Sequence, residues 1–169
     1  PFIGSKRMRS ALGDGYVDAL QAAWPVVPEA TDFVMRWWHI AAAAVRAGAA
    51  RQFGLITSNS LRQTYVRRAV EPHLAAPEGL SLVFAVPDHP WVDSSDGASV
   101  RIAMTVGTRG PREGRLCEVT EERADNPGNE DLVAVISQRT GAIGADLRLG
   151  PNVASAAPLT ANAGLCAVG

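Results

Sequence analysis

The first half of the chain alternates between segments with helical spacing of apolar residues and short apolar runs without alternation. In Tyr16–Trp24 and in Val34–Val45 the apolar residues recur every three or four positions, which is typical of helices that pack on one face. Phe53–Thr57 and Leu80–Val86 are short runs typical of strands buried on both faces of a sheet. The residues between these two runs again have helical spacing, so the pattern predicts a right-handed β–α–β crossover.

Polar residues, glycine and proline predict where these elements begin and end. Thr31 or Asp32 is expected to cap the long helix, and Gly48 is expected to end it. The crossover helix is predicted over Leu61–Leu74, with its end disturbed by a proline. The second strand is expected to stop at Pro87, which begins a polar loop. Residues 1–12 contain several basic residues and are predicted to form a loop.

The pattern changes after the first hundred residues. Val100–Val106 alternates apolar and polar positions, and the short loop before it predicts a strand antiparallel to its predecessor. After Gly107 the apolar runs are short. They predict strands over Arg115–Val119, Leu132–Ser137 and Ala142–Leu149. We therefore expect an α/β unit over residues 1–110 and a small β-rich segment over residues 111–169.

Composition narrows the class of protein without indicating a function. The 169 residues are 47% hydrophobic and 20% charged, which is typical of a folded chain, and the formal net charge is −1. A nucleic-acid interface would therefore have to come from local basic clusters. No apolar run approaches the roughly 20 residues of a membrane helix, and no signal peptide is visible. Cys117 and Cys166 are far apart and have no metal-ligand spacing, which favours a reducing, cytoplasmic compartment and no metal.

Three segments whose side chains could take part in binding or catalysis are predicted at the carboxyl ends of strands, where open α/β sheets bind ligands. They are Pro1–Gly4, Thr57–Gln63 and Pro87–Trp91. Phe2 and Trp91 supply aromatic rings, and the middle segment supplies hydroxyl and amide groups. Basic clusters flank them: Lys6, Arg7 and Arg9, then Arg62, Arg67 and Arg68. Aromatic rings beside arginines are expected at a site for an extruded or single-stranded base. A solvated helix face and a tryptophan that covers the core would give the same pattern.

The order of three sequence segments resembles that of bacterial adenine-N6 DNA methyltransferases. The segments read PFIGSKR, FGLITSNSLRQ and LVFAVPDHPW. The resemblance extends to the large type II restriction-modification chains that fuse methylation to sequence recognition, and Ala154–Gly169 is similar to the segment that leads into their target-recognition domain. It implies that residues 1–110 form the C-terminal half of a Rossmann-like methyltransferase sheet, with the last strand antiparallel. Residues 111–169 would be a connector and the start of the target-recognition region.

The resemblance also implies roles for individual residues. The family's catalytic loop reads Asn-Pro-Pro followed by Phe or Tyr, and Pro1 and Phe2 match its last half. Phe2 would stack on an adenine flipped out of double-stranded DNA, and Trp91 would cover the other face. The remaining substrate-binding residues implied in this way are Thr57, Asn59 and Ser60 near the base, with Arg62, Lys6 and Arg7 near the DNA.

The family's cofactor, S-adenosylmethionine, is bound by strands that precede the catalytic loop. The resemblance therefore places no cofactor-binding residue in this chain and implies a missing N-terminal, cofactor-binding half as its partner. The isolated chain is expected to be inactive and to leave S-adenosylmethionine unbound. Two alternatives remain open from the sequence: a non-enzymatic DNA-binding or scaffold module with a methyltransferase-like surface, and an unrelated α/β nucleotide-binding domain.

Overall fold

The computed structural model describes residues 2–91, 100–124 and 132–150, and Pro1 lies outside these ranges. The helices are α1 (Ser5–Leu12), α2 (Asp14–Ala23), α3 (Val34–Arg46), a 3-10 turn (Asn59–Arg62), α4 (Thr64–Arg67) and α5 (Glu71–Ala75). The strands are β1 (Gln52–Ser58), β2 (Leu80–Trp91), β3 (Val100–Arg109), β4 (Gly114–Ala124) and β5 (Leu132–Gly141).

The five strands form one mixed sheet in the order β1-β3-β2-β4-β5. Strand β3 lies between β1 and β2 and runs antiparallel to both, so β1 and β2 point the same way without being neighbours. Strand β4 joins β2 through a short parallel contact, Phe84 with Arg115 and Ala85 with Leu116. Strand β5 then pairs antiparallel with β4. The predicted α/β fold class is confirmed, and β3, the strand predicted to be antiparallel, runs antiparallel to both of its neighbours.

Helix α3 packs across β1 and β3 and forms the centre of the core. Trp38 is fully buried, and its indole Nε1–H donates a hydrogen bond of 3.0 Å to Thr105 Oγ1. Its ring meets Phe53 edge to face at 5.2 Å between centroids. The Phe53 ring lies directly against Gly107, where a Cβ atom would overlap it. The apolar spacing predicted for this helix is thus used to cover one face of the sheet.

The N-terminal residues form helices instead of the predicted basic loop. Met8 on α1 packs against Val17 and Leu20 on α2 in a small buried cluster. Outside this cluster Arg9 binds three carboxylates, those of Asp14, Asp18 and Glu29. The basic residues that suggested a loop therefore lie on the solvent side of an amphipathic helix.

Two predicted boundaries are wrong. Helix α3 begins at Val34 without a side-chain cap, because Thr31 Oγ1 donates to the Pro28 carbonyl and Asp32 binds elsewhere. Strand β2 continues through Pro87 to Trp91, with a shift in its pairing to β3 between Val86 and His89. The missing N–H of Pro87 is tolerated because it lies at this irregularity in the ladder.

Two further elements differ from their predicted form. The crossover predicted as one helix over Leu61–Leu74 is a 3-10 turn followed by α4 and α5, since Gln63 has extended backbone angles that interrupt it. The segment predicted as a strand over Ala142–Leu149 forms only a single bridge, between Ile143 and Leu149. Leu147 within it has a positive φ of 55°.

The second half of the chain continues the same sheet. Gly114 makes this possible, because a Cβ atom there would overlap the carbonyl oxygen of Leu82 on β2. Cys117 is buried on β4. The division at residue 110 stays a prediction, and the tail from Ala154 and Cys166 lie outside the described residues. None of the described helices is long and apolar enough to cross a membrane.

Candidate functional site

Two of the three predicted segments meet at the carboxyl end of β1. The carbonyl of Ile3 accepts a hydrogen bond of 2.9 Å from the backbone N–H of Phe33, which fixes the first segment beside α3. Gly4 lies against Asp32, where a Cβ atom would be 3.6 Å from the carboxylate. Asp32 in turn accepts hydrogen bonds from Ser58 and Ser60, at 2.5 and 3.1 Å. The first two segments are therefore connected through one carboxylate.

The third segment joins them through Asn59. Its side-chain Nδ2 donates to Asp88 Oδ1 at 3.2 Å, which connects the end of β1 to the end of β2. Asp88 also accepts a 2.5 Å hydrogen bond from Arg101 Nε, and Arg101 reaches Glu122 on β4 at 2.9 Å. The hydrogen bond to Asp88, with a smaller contribution from Glu122, raises the pKa of the Arg101 guanidinium above its usual value. This polar network spans three strands.

The two aromatic residues singled out from the sequence are both accessible. Phe2 is 62% exposed and Trp91 is 48% exposed. Ser58 on β1 and His89 on β2 both lie opposite Ile102 of β3. Trp91, the last residue of β2, lies two residues further along the sheet, opposite Val100. The stacking roles of Phe2 and Trp91 stay predictions, and these rings are free to contact a ligand from solvent.

The other predicted site residues differ in their surroundings. Asn59 and Ser60 are half-buried in the networks described above, and Arg62 is half-buried beside them. Lys6 and Arg7 lie on the exposed face of α1. Thr57 is completely buried, and its Oγ1 has no hydrogen-bond partner among the described residues. Thr57 therefore lies beneath the surface that Asn59 and Ser60 present.

An apolar groove of about 600 Å³ runs beside β1. It is lined by Phe2, Phe33, Val34, Trp37, Gly54, Leu55 and Ile56. S-adenosylmethionine carries a ribose, an amino acid and a sulfonium, which need carboxylate and hydrogen-bonding partners. None of the lining residues is charged, so this groove does not fit that cofactor. In the described part of the chain, β1 pairs only with β3, and the groove follows its other edge.

Several residues of the site could not be identified from the sequence. The sequence predicts Thr31 or Asp32 as a helix cap, yet the Asp32 carboxylate binds two serines 26 and 28 residues away. Arg101 and Glu122 belong to strands whose positions in the sheet are not evident from local spacing. Within the described ranges, no group of three His, Cys, Asp or Glu side chains could hold a metal ion.

Comparison with known proteins gives a structural likeness without a sequence family. No protein-family model matches the chain, and no curated protein matches it either. Among solved structures, the chain is similar to part of the type IIL restriction-modification enzyme MmeI in complex with DNA, with a TM-score of 0.64 and 21% identity. The match covers 90% of this chain and 19% of that enzyme. The two proteins share this fold, and the chain spans about a fifth of the enzyme's length.

Proposed function

We propose that this chain is part of a site-specific DNA methyltransferase of a restriction-modification system. The reaction transfers a methyl group from S-adenosylmethionine to the N6 amino group of an adenine flipped out of double-stranded DNA. The observation that carries the proposal is the junction of three segments at the ends of β1 and β2, flanked by the exposed rings of Phe2 and Trp91. The fold shared with part of a restriction-modification enzyme supports it.

Each residue of the junction has a physical role in this proposal. Phe2 and Trp91 stack on opposite faces of the adenine, since any base offers a π-face to an aromatic side chain. Asn59 and Ser60 are already positioned by Asp88 and Asp32, so their polar atoms need no reordering when a base arrives. Arg62, Lys6 and Arg7 neutralise phosphates of the DNA backbone. By the resemblance Pro1 and Phe2 are the last half of the catalytic loop, and buried Thr57 supports the end of β1 beside Asn59 and Ser60.

The cofactor belongs to another part of the protein in this proposal, because the groove beside β1 does not fit it. That part is the missing N-terminal half, which pairs with the outer edge of β1 and covers Phe33, Trp37 and Ile56. Trp37 is 51% exposed, and open strand edges are normally covered in native proteins. The cofactor half thus completes both the sheet and the catalytic loop.

A methylation assay on the full-length protein tests the reaction. Double-stranded DNA incubated with the protein and S-adenosylmethionine labelled in its methyl group should gain N6-methyladenine, identified by mass spectrometry of the nucleosides. Methylcytosine as the product would contradict the proposed target atom. DNA binding without any methyl incorporation would instead favour the alternative of a non-enzymatic DNA-binding module.

Aromatic substitutions test the stacking roles in the same protein. Phe2→Ala and Trp91→Ala should each weaken binding to DNA with an extrahelical adenine by about 5-fold to 150-fold, since base stacking contributes about 1–3 kcal/mol. Tyr65→Ala is the matched control, because Tyr65 is a 40% exposed aromatic on α4 outside the junction. Equal affinities for all three variants would contradict the stacking roles.

Calorimetric titration tests where the cofactor binds. The 169-residue chain mixed with S-adenosylmethionine should give no binding heat, whereas the full-length protein should bind. Micromolar affinity in the isolated chain would show that the cofactor site has been assigned to the wrong part of the protein.

A further inference from the structure

Two arginines close together in the sequence and a third about eighty residues later face one surface cavity of about 240 Å³. They are Arg62 at the end of the 3-10 turn, Arg67 on α4 and Arg148 in the segment after β5. The cavity is completed by Asn59, Gln63 and Asp146. We call this feature the arginine pocket. It borders the junction described above, because Asn59 belongs to both.

The backbone and side-chain contacts fix the positions of these arginines. Arg67 Nε donates a hydrogen bond of 2.6 Å to the Arg62 carbonyl, which orients one guanidinium and leaves its terminal nitrogens for other partners. Neither Arg62 nor Arg67 is fully exposed. Their side chains are therefore partly ordered before any ligand binds, which lowers the entropic cost of binding.

Arg148 is placed by a strained turn. Leu147 beside it is completely buried and has a φ of 55°, a left-handed conformation that is unfavourable for a leucine. The Gly144 N–H donates to the Arg148 carbonyl at 2.9 Å, and the Arg148 N–H donates to Asp146 Oδ1 at 3.2 Å. The turn buries Leu147 in the core and leaves the neighbouring Arg148 side chain exposed on the pocket.

The charges of the pocket are not balanced within the described residues. Among the described residues, the arginines that form ion pairs are Arg9, Arg101, Arg109 and Arg139, and none of these four lines the arginine pocket. No carboxylate of the described chain lies within ion-pair distance of Arg62, Arg67 or Arg148. Three positive groups share the cavity with one carboxylate, Asp146, which already accepts a backbone hydrogen bond. Guanidinium groups brought together without partners repel one another, and an oxyanion between them removes that repulsion.

We propose that the arginine pocket binds a phosphate group of the DNA backbone. The inference rests on the proposed function for the choice of DNA as the source of that phosphate, and the chemistry recognised is that of a phosphate oxyanion. Planar guanidinium groups match the geometry of phosphate oxygens and contact them in pairs. Because Asn59 connects the pocket to Asp88, the phosphate is one beside the flipped nucleotide, and its contacts fix the position of the DNA on the protein.

The salt dependence of DNA affinity tests the proposal in the full-length protein. Fluorescence anisotropy with double-stranded DNA at several salt concentrations gives the slope of log K against log salt. Arg67→Gln and Arg148→Ala should each weaken binding about tenfold at low salt and reduce the slope by up to about one, the contribution of a single phosphate contact. Arg51→Ala is the control, since Arg51 is an exposed arginine directly before β1, at the end of the strand away from the arginine pocket. An equal loss in the control would overturn the proposal.

Three additional measurements separate the remaining interpretations. Circular dichroism and thermal unfolding show whether each variant folds. If Arg67→Gln does not fold, Arg148→Ala alone is used for the test, because Arg148 is exposed. Stabilisation of the wild type by millimolar inorganic phosphate, lost in Arg148→Ala while DNA affinity is unchanged, would assign the pocket to a free phosphate and overturn the DNA assignment. Altered DNA affinity in a protein that methylates no DNA would contradict the proposed reaction and leave the phosphate site intact.

Discussion

The hydroxyl of Ser58 lies 2.5 Å from Oδ2 of Asp32, and this hydrogen bond ties the end of β1 to the turn before α3. The same carboxylate oxygen accepts from Ser60 at 3.1 Å, and the two serine oxygens are 2.6 Å apart. Asp32 also lies beside Gly4, close to the segment that carries Phe2. One acidic side chain therefore determines how the aromatic segment and the Ser58–Ser60 turn sit relative to each other.

Replacement of Asp32 should destabilise the fold and loosen the junction. Asp32→Ala removes the acceptor of two hydroxyl groups and should lower the free energy of unfolding by about 2 kcal/mol, since hydrogen bonds to charged groups contribute about 1.5–3 kcal/mol. Asp32→Asn keeps one acceptor oxygen and should cost less. Urea denaturation of the three proteins measures the difference. Identical midpoints for wild type and Asp32→Ala would contradict the structural role given to this carboxylate.

Gly114 should be intolerant of any side chain. Gly114→Ala places a methyl group on the Leu82 carbonyl and should lower the free energy of unfolding by about 2–3 kcal/mol, because backbone atoms must move to accept it. Gly54→Ala is the matched control in the same sheet, since its Cβ would lie 3.6 Å from Val106, an ordinary contact. Thermal unfolding should separate the two variants by several degrees. A control as unstable as Gly114→Ala would argue against the close approach of β2 and β4.

The pair of buried His73 and half-buried His39 should make stability depend on pH. His73 Nε2 and His39 Nδ1 are 2.8 Å apart, and Arg46 reaches the other nitrogen of His73 at 3.5 Å. Burial, followed by the positive charges of His39 and Arg46, lowers the pKa of His73 from 6.5 to about 4. The unfolded chain thus binds the proton first as pH falls. The contribution of His73 to stability is fully present above pH 6.5 and is lost progressively as the pH falls to about 4, by up to about 3 kcal/mol.

The comparison of variants isolates this contribution from other titrating groups. Unfolding free energies measured between pH 7 and pH 4 should fall less steeply in His73→Gln than in the wild type. His89→Gln is the matched histidine control, because His89 lies on β2 and contacts the Pro90 carbonyl instead of the histidine pair. A wild-type slope in His73→Gln would refute the prediction.

Arg36 is a buried cation without a carboxylate partner among the described residues. It is 1% exposed, and its Nε has no hydrogen-bond partner there. One terminal nitrogen donates to Gln21 at 2.8 Å, and the other lies 3.8 Å from the sulfur of Met8. Burial lowers the pKa of its guanidinium. This side chain is charged at neutral pH and its desolvation opposes folding.

Arg36→Met should therefore raise the free energy of unfolding by about 1 kcal/mol, because it fills the site without a buried charge. Arg36→Ala should lower the free energy of unfolding, since it removes the charge and leaves a cavity. Chemical denaturation of both variants checks the sign of each change. A Met variant less stable than the wild type would mean that the bond to Gln21 outweighs the desolvation of the cation.

The sequence predicted the principal strands and the direction of β3, and it could not predict the order of strands. The apolar runs at Phe53–Thr57 and Leu80–Val86 lie within β1 and β2, and Val100–Val106 lies within β3. Only eight residues separate Trp91 from Val100, too few for a parallel crossover, so β3 runs antiparallel to β2. The pairing of β3 with β1 depends on which strand edge remains open once α3 and the crossover have packed, and no local sequence pattern indicates this.

The candidate site was predictable in its parts and unpredictable in its connections. Two of the three segments were identified because each follows an apolar run, and Pro1–Gly4 because it carries an aromatic ring and matches the catalytic loop of the family that the chain resembles. The structure joins the three segments through Asp32 and Asn59. Arg148 was not identified because a buried leucine in a left-handed conformation positions it, and such a turn has no glycine to mark it. Side chains that act across distant strands are determined by tertiary packing, which lies beyond local periodicity.

The position of β3 between β1 and β2 also affects the order in which the protein can assemble during translation. Gln52 pairs with Thr108 and Ser58 pairs with Ile102, so β1 finds its neighbour only after some fifty further residues have left the ribosome. Until then the edge of β1 that will pair with β3 stays open. Such long-range pairing slows folding and extends the time during which the nascent chain is open to aggregation.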